Sequence, residues 1–307
     1  MYDVIIIGSG PAGLSAAVYG KRAGLDVLVL ELNPMSGGQV LNTYEVDNYL
    51  GMPMMNGFDM GMKFRQHADD MGAIFENAQV VGIEEHDNYK TVIAKDGSAD
   101  KSYAAKTVVL AAGASHAELN VAGEKELKGK GVSYCATCDG AFYRNKSVAV
   151  VGGGDVAVED AIFLARLCEK VLLIHRRDSL RAAKSLQNRL FQCENVEIIW
   201  DSVVEEICGQ EQVDGVKVRN LKSDSTDDIA VDGVFIAVGL KPNTEIFKNI
   251  VPCDERGYCL AGEDCVTKTP GIFAAGDIRT KNLRQIITAA ADGANAISSV
   301  EKYLLSL

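Results

Sequence analysis

Proline is scarce in this sequence, six in 307 residues, and so are tryptophan, with one, and histidine, with four. So little proline excludes long Pro-rich linkers, and any joins between domains are short. Long apolar runs are missing too. The strongest, Val4 to Ile7 and Val148 to Val151, are strand-sized and fall far below the roughly 18 residues of a membrane span. Positive charge is in deficit, with 31 Lys and Arg against 42 Asp and Glu and a net charge of -11. That balance argues against nucleic acid or an anionic membrane as the main partner. No basic segment precedes an apolar stretch at the N-terminus, so the chain is expected to be unexported and cytoplasmic. Eight cysteines are too sparse for a disulfide scaffold, and six of them, Cys168, Cys193, Cys208, Cys253, Cys259 and Cys265, stand apart. The even spacing of the last three includes no close pair, so they read as structural or incidental.

What is present is the mix of a globular protein, 47% hydrophobic and 24% charged, in a length that favours two domains. The opening reads as a buried parallel strand, Val4 to Ile7, a glycine turn Gly8-Ser9-Gly10-Pro11-Ala12-Gly13, a helix to about Ala23 and a second strand, Val27 to Leu30. The same order returns at Val148 to Val151, Gly152-Gly153-Gly154-Asp155-Val156-Ala157, a helix to about Cys168 and a strand from Val171 to Ile174. Each half closes on a strand running into glycine, at 108–113 and at 233–239. After Pro242 no third fingerprint begins; 271–277 forms one more strand and turn, and an Ala-rich helix runs from about Gln285 to Leu304. The expected fold is α/β, with two Rossmann-like, three-layer ββα nucleotide-binding domains. The second is inserted into the first, so that 1–114 and 246–307 enclose 115–245. The paired crossings make a natural hinge.

A lone G-x-G-x-x-G is weak, but here each copy lies between a strand and a helix. Gly8 then permits the tight turn, Gly10 the approach of a pyrophosphate and Gly13 close helix packing. Eighteen positions beyond Gly13 stands Glu31, where a carboxylate accepts from a ribose 2′-hydroxyl and repels a 2′-phosphate. The first site therefore suits FAD or NAD. Eighteen positions beyond Ala157 the chain instead reads His175-Arg176-Arg177, with Arg181 close behind. Guanidinium forks suit a 2′-phosphate, which selects NADP, although a solvated basic helix start would look similar.

The remaining chemistry lies in Cys135-Ala136-Thr137-Cys138-Asp139-Gly140. Two intervening residues let the sulfurs close a small ring that cycles between dithiol and disulfide. Half of a zinc site has the same spacing, but no second C-x-x-C exists and the histidines are scattered, so no metal is expected. Asp139 suits proton transfer during thiol–disulfide exchange, or else caps a helix.

These motifs, with Gly37-Gly38-Gln39, Glu159, Asp178 and Gly276-Asp277-Ile278-Arg279 leading into Arg284-Gln285, stand in the order of the bacterial low-molecular-weight thioredoxin reductases, which the chain resembles over essentially its whole length. The resemblance implies a homodimer that takes hydride from NADPH to FAD, then to the Cys135–Cys138 disulfide, then to thioredoxin or a thioredoxin-like protein. FAD would be held by residues matching Gly8 to Gly13, Glu31, Gly38, Gln39, Asn48, Val81, Ala112, Gly113, Gly276, Asp277, Arg284, Gln285 and Ile286. NADPH would be held by those matching Gly152, Gly154, Asp155, Val156, Ala157, Glu159, His175, Arg176, Arg177, Arg181 and Gly239. It further implies that Cys138 faces the flavin, that Cys135 attacks the acceptor with Asp139 as acid, and that the inserted domain rotates between half-reactions. Leu50, where relatives usually carry Pro, and Asp155, at a variable position, depart from the pattern. Two rivals are the reductase of a peroxide-reducing system and a non-enzymatic redox sensor with a structural metal. The first usually carries an extra N-terminal region that this sequence does not show.

Overall fold

The computed structural model describes residues 1–43, 46, 48–97 and 99–307. By internal contacts the chain divides into two compact units, 1–115 with 241–307, and 116–240.

The first unit opens with β1 (Tyr2–Ile7), α1 (Pro11–Arg22) and β2 (Val27–Glu31), and continues through α2 (Gly57–Asp70), β3 (Ile74–Asn77), β4 (Gln79–Glu85), β5 (Lys90–Asp96) and β6 (Ala99–Leu110). The strands β3, β2, β1 and β6 lie side by side in parallel. Val4 and Ile6 of β1 pack with α1 on one face, while Ile5 and Ile7 pack with Leu28, Leu30 and the β4–β5 layer on the other. Burial on both faces is why this strand reads as an unbroken apolar run.

Strand β6 is longer than its apolar end at 108–110 suggests. Its first half pairs antiparallel with β5 from Ala99 to Ala105, and its second half joins the parallel sheet beside β1. One strand thus serves both layers.

The first crossing is β7 (Ala114–His116). The second unit then runs through β8 (Val132–Ser133), the short helix α3 (Ala136–Asp139), β9 (Ser147–Gly152), α4 (Asp155–Ala165), β10 (Lys170–Ile174), α5 (Lys184–Leu190) and β11 (Val196–Ile199). After these come β12 (Ser202–Gly209), β13 (Val213–Asn220), β14 (Thr226–Ala230) and β15 (Gly233–Ala237). Its parallel sheet has the order β11-β10-β9-β15-β8, and β12-β13-β14 form a separate antiparallel layer. The face-by-face alternation of β1 recurs in β9. Val148 and Val150 meet α4, and Ala149 and Val151 meet the β12–β13 layer. Helix α4 ends at Ala165 rather than near Cys168, because the N–H groups of Arg166 and Leu167 turn back to the carbonyls of Phe163 and Leu164.

The return crossing is β16 (Leu240–Pro242), paired with β7. Contacts place this crossing at 240/241 rather than at 245/246. Asn243 explains the shift: its N–H donates to Gly113 O at 3.0 Å and its Nδ2 to Ala112 O at 2.8 Å, while Phe247 is fully buried in the first unit's core. The chain then adds β17 (Ile272–Ala274), parallel to β6, and ends in α6 (Ile286–Leu304), which packs on α1. No helix among the described residues is long and apolar enough to cross a membrane.

Candidate functional site

In the first unit the loop between β1 and α1 can be built only from glycine at two points. A Cβ on Gly8, at φ +104°, would stand 2.5 Å from Ala111 O, and one on Gly13 would stand 1.9 Å from Gly8 O. Gly10, the N-cap of α1, faces open space instead, with only Gly38 Cα at 4.0 Å, and no side chain caps the helix. Pro11 is the first helical residue, so the free N–H groups of this turn are aimed where an anion can take them.

Three segments converge on that opening. Gly37 N–H donates to Ser9 O at 2.8 Å, placing the 3-10 turn Gly38–Asn42 beside the loop. The turn at Gly276–Ile278 comes in over α1, so that a Cβ on Gly276 would meet the Ala12 methyl at 2.8 Å. Gln285, at the N-cap of α6, accepts from Asn48 Nδ2 at 2.9 Å, and Ile286 packs on Val40, Val46 and Met60. Gln39 donates to Ala114 O.

The carboxylates here have distinct environments. Glu31 Oε2 accepts the Ser9 N–H and hydroxyl at 2.7 and 2.6 Å, and Oε1 accepts the Asn33 N–H and Nδ2 at 2.8 and 3.0 Å. The residue at the end of β2 thus also fastens the glycine loop. Asp277 is the reverse: its Oδ1 is buried and bonded to nothing, and burial raises its carboxyl above the usual range, against the pull of Lys281 and Arg284. Arg284 Nε is likewise buried without a partner, although its guanidinium lies 3.9 Å over the Tyr258 ring. Two orphaned buried polar atoms beside an open glycine loop are what a bound polar ligand satisfies.

Val81 sits in a bulge of β4, where the register with β5 shifts between Val80 and Gly82, and it is half-buried. The carbonyls of Ala112 and Gly113 are both taken by Asn243.

The second unit repeats the loop with different supports. Gly154 is the N-cap of α4, with no side-chain cap and no atom within 4 Å of where a Cβ would stand. His175 is buried under the loop, its Nε2 3.0 Å from Ser179 O, and its ring fills the space a Cβ on Gly153 would take, at 2.2 Å. Burial lowers the His175 pKa, and Arg181 and Arg176 push the same way. Asp155 Oδ1 accepts the Ala183 N–H at 2.7 Å, and Arg181 N–H donates to Gly153 O at 2.7 Å, so the basic segment is bound to the glycine loop. Arg176, Arg177 and Arg181 are all exposed. Val156 and Glu159 are exposed on α4 while Ala157 is buried, and Gly239 O accepts the Ala117 N–H at 2.9 Å.

Cys135 and Cys138 form a disulfide of 2.08 Å with Cα atoms 5.3 Å apart. Cys135 is the N-cap of α3, and its Sγ accepts the Cys138 N–H at 3.2 Å and lies 3.4 Å from Thr137 Oγ1. Those are bonds that a thiolate left on Cys135 would keep and strengthen. Asp139 does not act as an N-cap: that place belongs to Cys135, and the Asp139 side chain makes no capping bond to the 3-10 turn Gly140–Tyr143 that follows. The described residues contain no cluster able to hold a metal ion.

Residues 2–293 match the family model described as pyridine nucleotide-disulphide oxidoreductase. A thioredoxin reductase of Listeria monocytogenes is 48% identical over 312 residues, covering 100% of this chain and 95% of the relative, and one of Bacillus subtilis is 44% identical over 308 residues, covering 100% and 96%. The crystal structure of Lactococcus lactis thioredoxin reductase in its FR conformation superposes with a TM-score of 0.95 at 42% identity, covering 100% of both chains. The chain belongs to the thioredoxin reductase family.

Within this thioredoxin reductase fold the sequence motifs fall into two groups, one in each unit. The sequence does not single out Asp292, which lies on α6 behind the Gly276–Asp277 turn and binds Arg279 and Lys281. The available signal was an isolated acid in the Ala-rich stretch, beside Gly293. That glycine lets α6 approach α1 so closely that a Cβ on it would stand 2.2 Å from Ala12 O.

Proposed function

We propose that the chain is an NADPH-dependent, FAD-containing thioredoxin-disulfide reductase that works as a cytoplasmic homodimer. One observation carries the reading: the Cys135–Cys138 disulfide shares its unit with a glycine loop to which Arg181 is bonded through its backbone N–H, and Arg176, Arg177 and Arg181 are all exposed. The family supplies the acceptor, a thioredoxin.

The first unit fits FAD. The uncapped N-terminus of α1 suits its pyrophosphate, and the orphaned Asp277 Oδ1 suits a ribityl hydroxyl, which can donate to it. Glu31 would share its ribose contact with Ser9, and Gln39, Asn48 and Gln285 would supply further polar contacts. When bound there, FAD supplies a two-electron carrier between the nicotinamide hydride and the disulfide. The second unit suits NADPH, with the pyrophosphate at the α4 N-terminus and the 2′-phosphate on Arg176, Arg177 and Arg181.

The protein's own steps follow from the disulfide's surroundings. Once the pair is reduced, the Cys135 sulfur is held as thiolate by the Cys138 N–H and the Thr137 hydroxyl. It attacks one sulfur of the acceptor disulfide, which releases the other acceptor sulfur as a thiolate to be protonated, with Asp139 as the acid. Cys138 then attacks Cys135, expelling the second acceptor thiolate and restoring the intramolecular disulfide.

The test is an anaerobic titration of the purified protein with NADPH and, separately, NADH, followed by addition of thioredoxin and a count of thiols. NADPH should bleach a flavin absorbance far better than NADH, and thioredoxin thiols should appear. Bleaching without thiols moves the acceptor to another disulfide protein, and no bleaching by either nucleotide overturns the donor assignment. Sedimentation equilibrium checks the dimer.

A further inference from the structure

Cys253 and Cys259, far from the C-x-x-C in sequence and in the other unit, are not incidental. The chain between them turns tightly. Asp254 Oδ1 accepts the N–H groups of Arg256 and Tyr258 at 2.9 and 2.8 Å, Gly257 N–H donates to Asp254 O at 2.9 Å, and Gly257 takes φ +88° as a turn glycine does.

This turn fixes a register that pairs Cys253 with Cys259 as antiparallel neighbours. Asp254 N–H bonds Tyr258 O, and Leu260 N–H bonds Pro252 O, each at 2.9 Å. Cys253 and Cys259 are therefore a non-hydrogen-bonded pair, in which Cα atoms stand about 4.5 Å apart and the side chains share a face. Disulfides span Cα separations of about 4.4–6.8 Å. The Cys253 thiol donates to Val251 O at 3.6 Å. Burial first, and then the neighbouring Cys253, push the Cys259 thiol up to about 12.

Their exposures differ. Cys259 is fully buried, whereas Cys253 is half-buried and lines a cavity of about 340 Å³ together with Lys241, Lys248 and Arg256. Of the two residues Cys253 is therefore the one nearer to an oxidant as small as a peroxide.

We infer that Cys253 and Cys259 are a second redox-active dithiol, which hydrogen peroxide closes to a disulfide. The Cys253 thiolate attacks a peroxide oxygen and the O–O bond breaks. The departing hydroxide takes up the proton that the Cys253 thiol gave up and leaves as water, and Cys253 becomes a sulfenic acid. The Cys259 sulfur then attacks the Cys253 sulfur, the S–O bond breaks, and the departing hydroxide takes the Cys259 proton as a second water. Two thiols and one peroxide thus give one disulfide and two waters. The inference does not rest on the proposed reductase activity.

The pair is well placed to be felt. Cys259 N–H donates to Ile278 O and Thr280 N–H donates to Cys259 O, both at 2.9 Å, so its strand is bonded directly to the turn that carries Asp277.

The experiment uses the full chain with Cys135→Ser and Cys138→Ser, which leaves six free thiols. After peroxide treatment, quenching and denaturation, the thiols are counted and unreduced peptides are mapped by tandem mass spectrometry. Two thiols should be lost reversibly to dithiothreitol, with a cross-link joining Cys253 to Cys259 and not to Cys265. Adding Cys253→Ser should abolish the cross-link, and the mapping in the parent variant stands whether or not that protein folds. The inference fails if all six thiols persist, if the link runs to Cys265, or if Cys253 passes to sulfinic acid while Cys259 stays free.

Discussion

Asp292 grips Arg279 with both carboxylate oxygens, at 2.6 Å from Nη2 and 2.8 Å from Nε, and all of these atoms are buried. The same Oδ2 accepts Lys281 Nζ at 2.9 Å and the Gly276 N–H at 2.8 Å. Helix α6 is thereby fastened to the turn that presents Asp277. Breaking a buried ion pair by removing one partner is costly because the other charge stays desolvated. Asp292→Asn leaves two buried cations facing a neutral amide and should lower stability by about 3 kcal/mol. Urea denaturation measures this, and an unchanged midpoint would show that the cations find other partners.

The two cysteines of the C-x-x-C should fail differently from the cofactor sites. Cys135→Ser and Cys138→Ser each remove the disulfide while leaving both glycine loops untouched. Thioredoxin reduction should fall by at least about a thousandfold, since no covalent route remains, while bleaching of the flavin by NADPH continues. Stopped-flow absorbance and a thiol count separate the two. Residual thioredoxin reduction near the parent rate would sink the assigned chemistry.

The sequence makes some parts of this structure plain and hides others for physical reasons. Strands β1, β2, β9 and β10 are buried on both faces, so they read as apolar runs, and the glycine loops follow β1 and β9 directly. The first half of β6 is hidden because it pairs in a more open antiparallel layer, where a run such as Lys101-Ser102-Tyr103 gives no clear period. Asp292 is hidden because its partners lie 11 and 13 residues away, and nothing in one-dimensional spacing marks a buried ion pair. Cys253 and Cys259 are six apart, a separation with no meaning until the turn capped by Asp254 folds them opposite one another.

In the proposed function the arginines at the end of β10 would set a nucleotide preference rather than an activity. Arg176 and Arg177 are exposed, and their guanidinium groups make no hydrogen bond or ion pair among the described residues. Charge-assisted bonds are worth about 1.5–3 kcal/mol each, which is roughly ten- to a hundredfold in affinity. The Arg176→Ala, Arg177→Ala variant should raise KM for NADPH by at least about tenfold and leave KM for NADH nearly unchanged. Equal losses with both nucleotides would mean that the pair supports the fold or the pyrophosphate instead of the 2′-phosphate.

Asp160 on α4 gives the pH prediction. Burial raises its carboxyl from 3.8 to about 7, and the adjacent Glu159 adds to the rise. A group whose pKa is higher folded than unfolded holds its proton longer in the native state. Its contribution is therefore fully present below about pH 4 and is lost as the pH rises toward about 7, where the native state must carry a charge that burial disfavours. Asp160→Asn cannot ionise and so avoids that loss. It should be about 1–2 kcal/mol more stable than the parent at pH 8, a modest gain because the partly exposed carboxylate keeps some of its hydration, and indistinguishable from it near pH 4. Thermal melts across that range decide the matter. A stability gain that is the same at both ends would assign the effect to packing or helix propensity, and no gain at pH 8 would mean that water reaches the carboxylate and keeps it comfortably ionised.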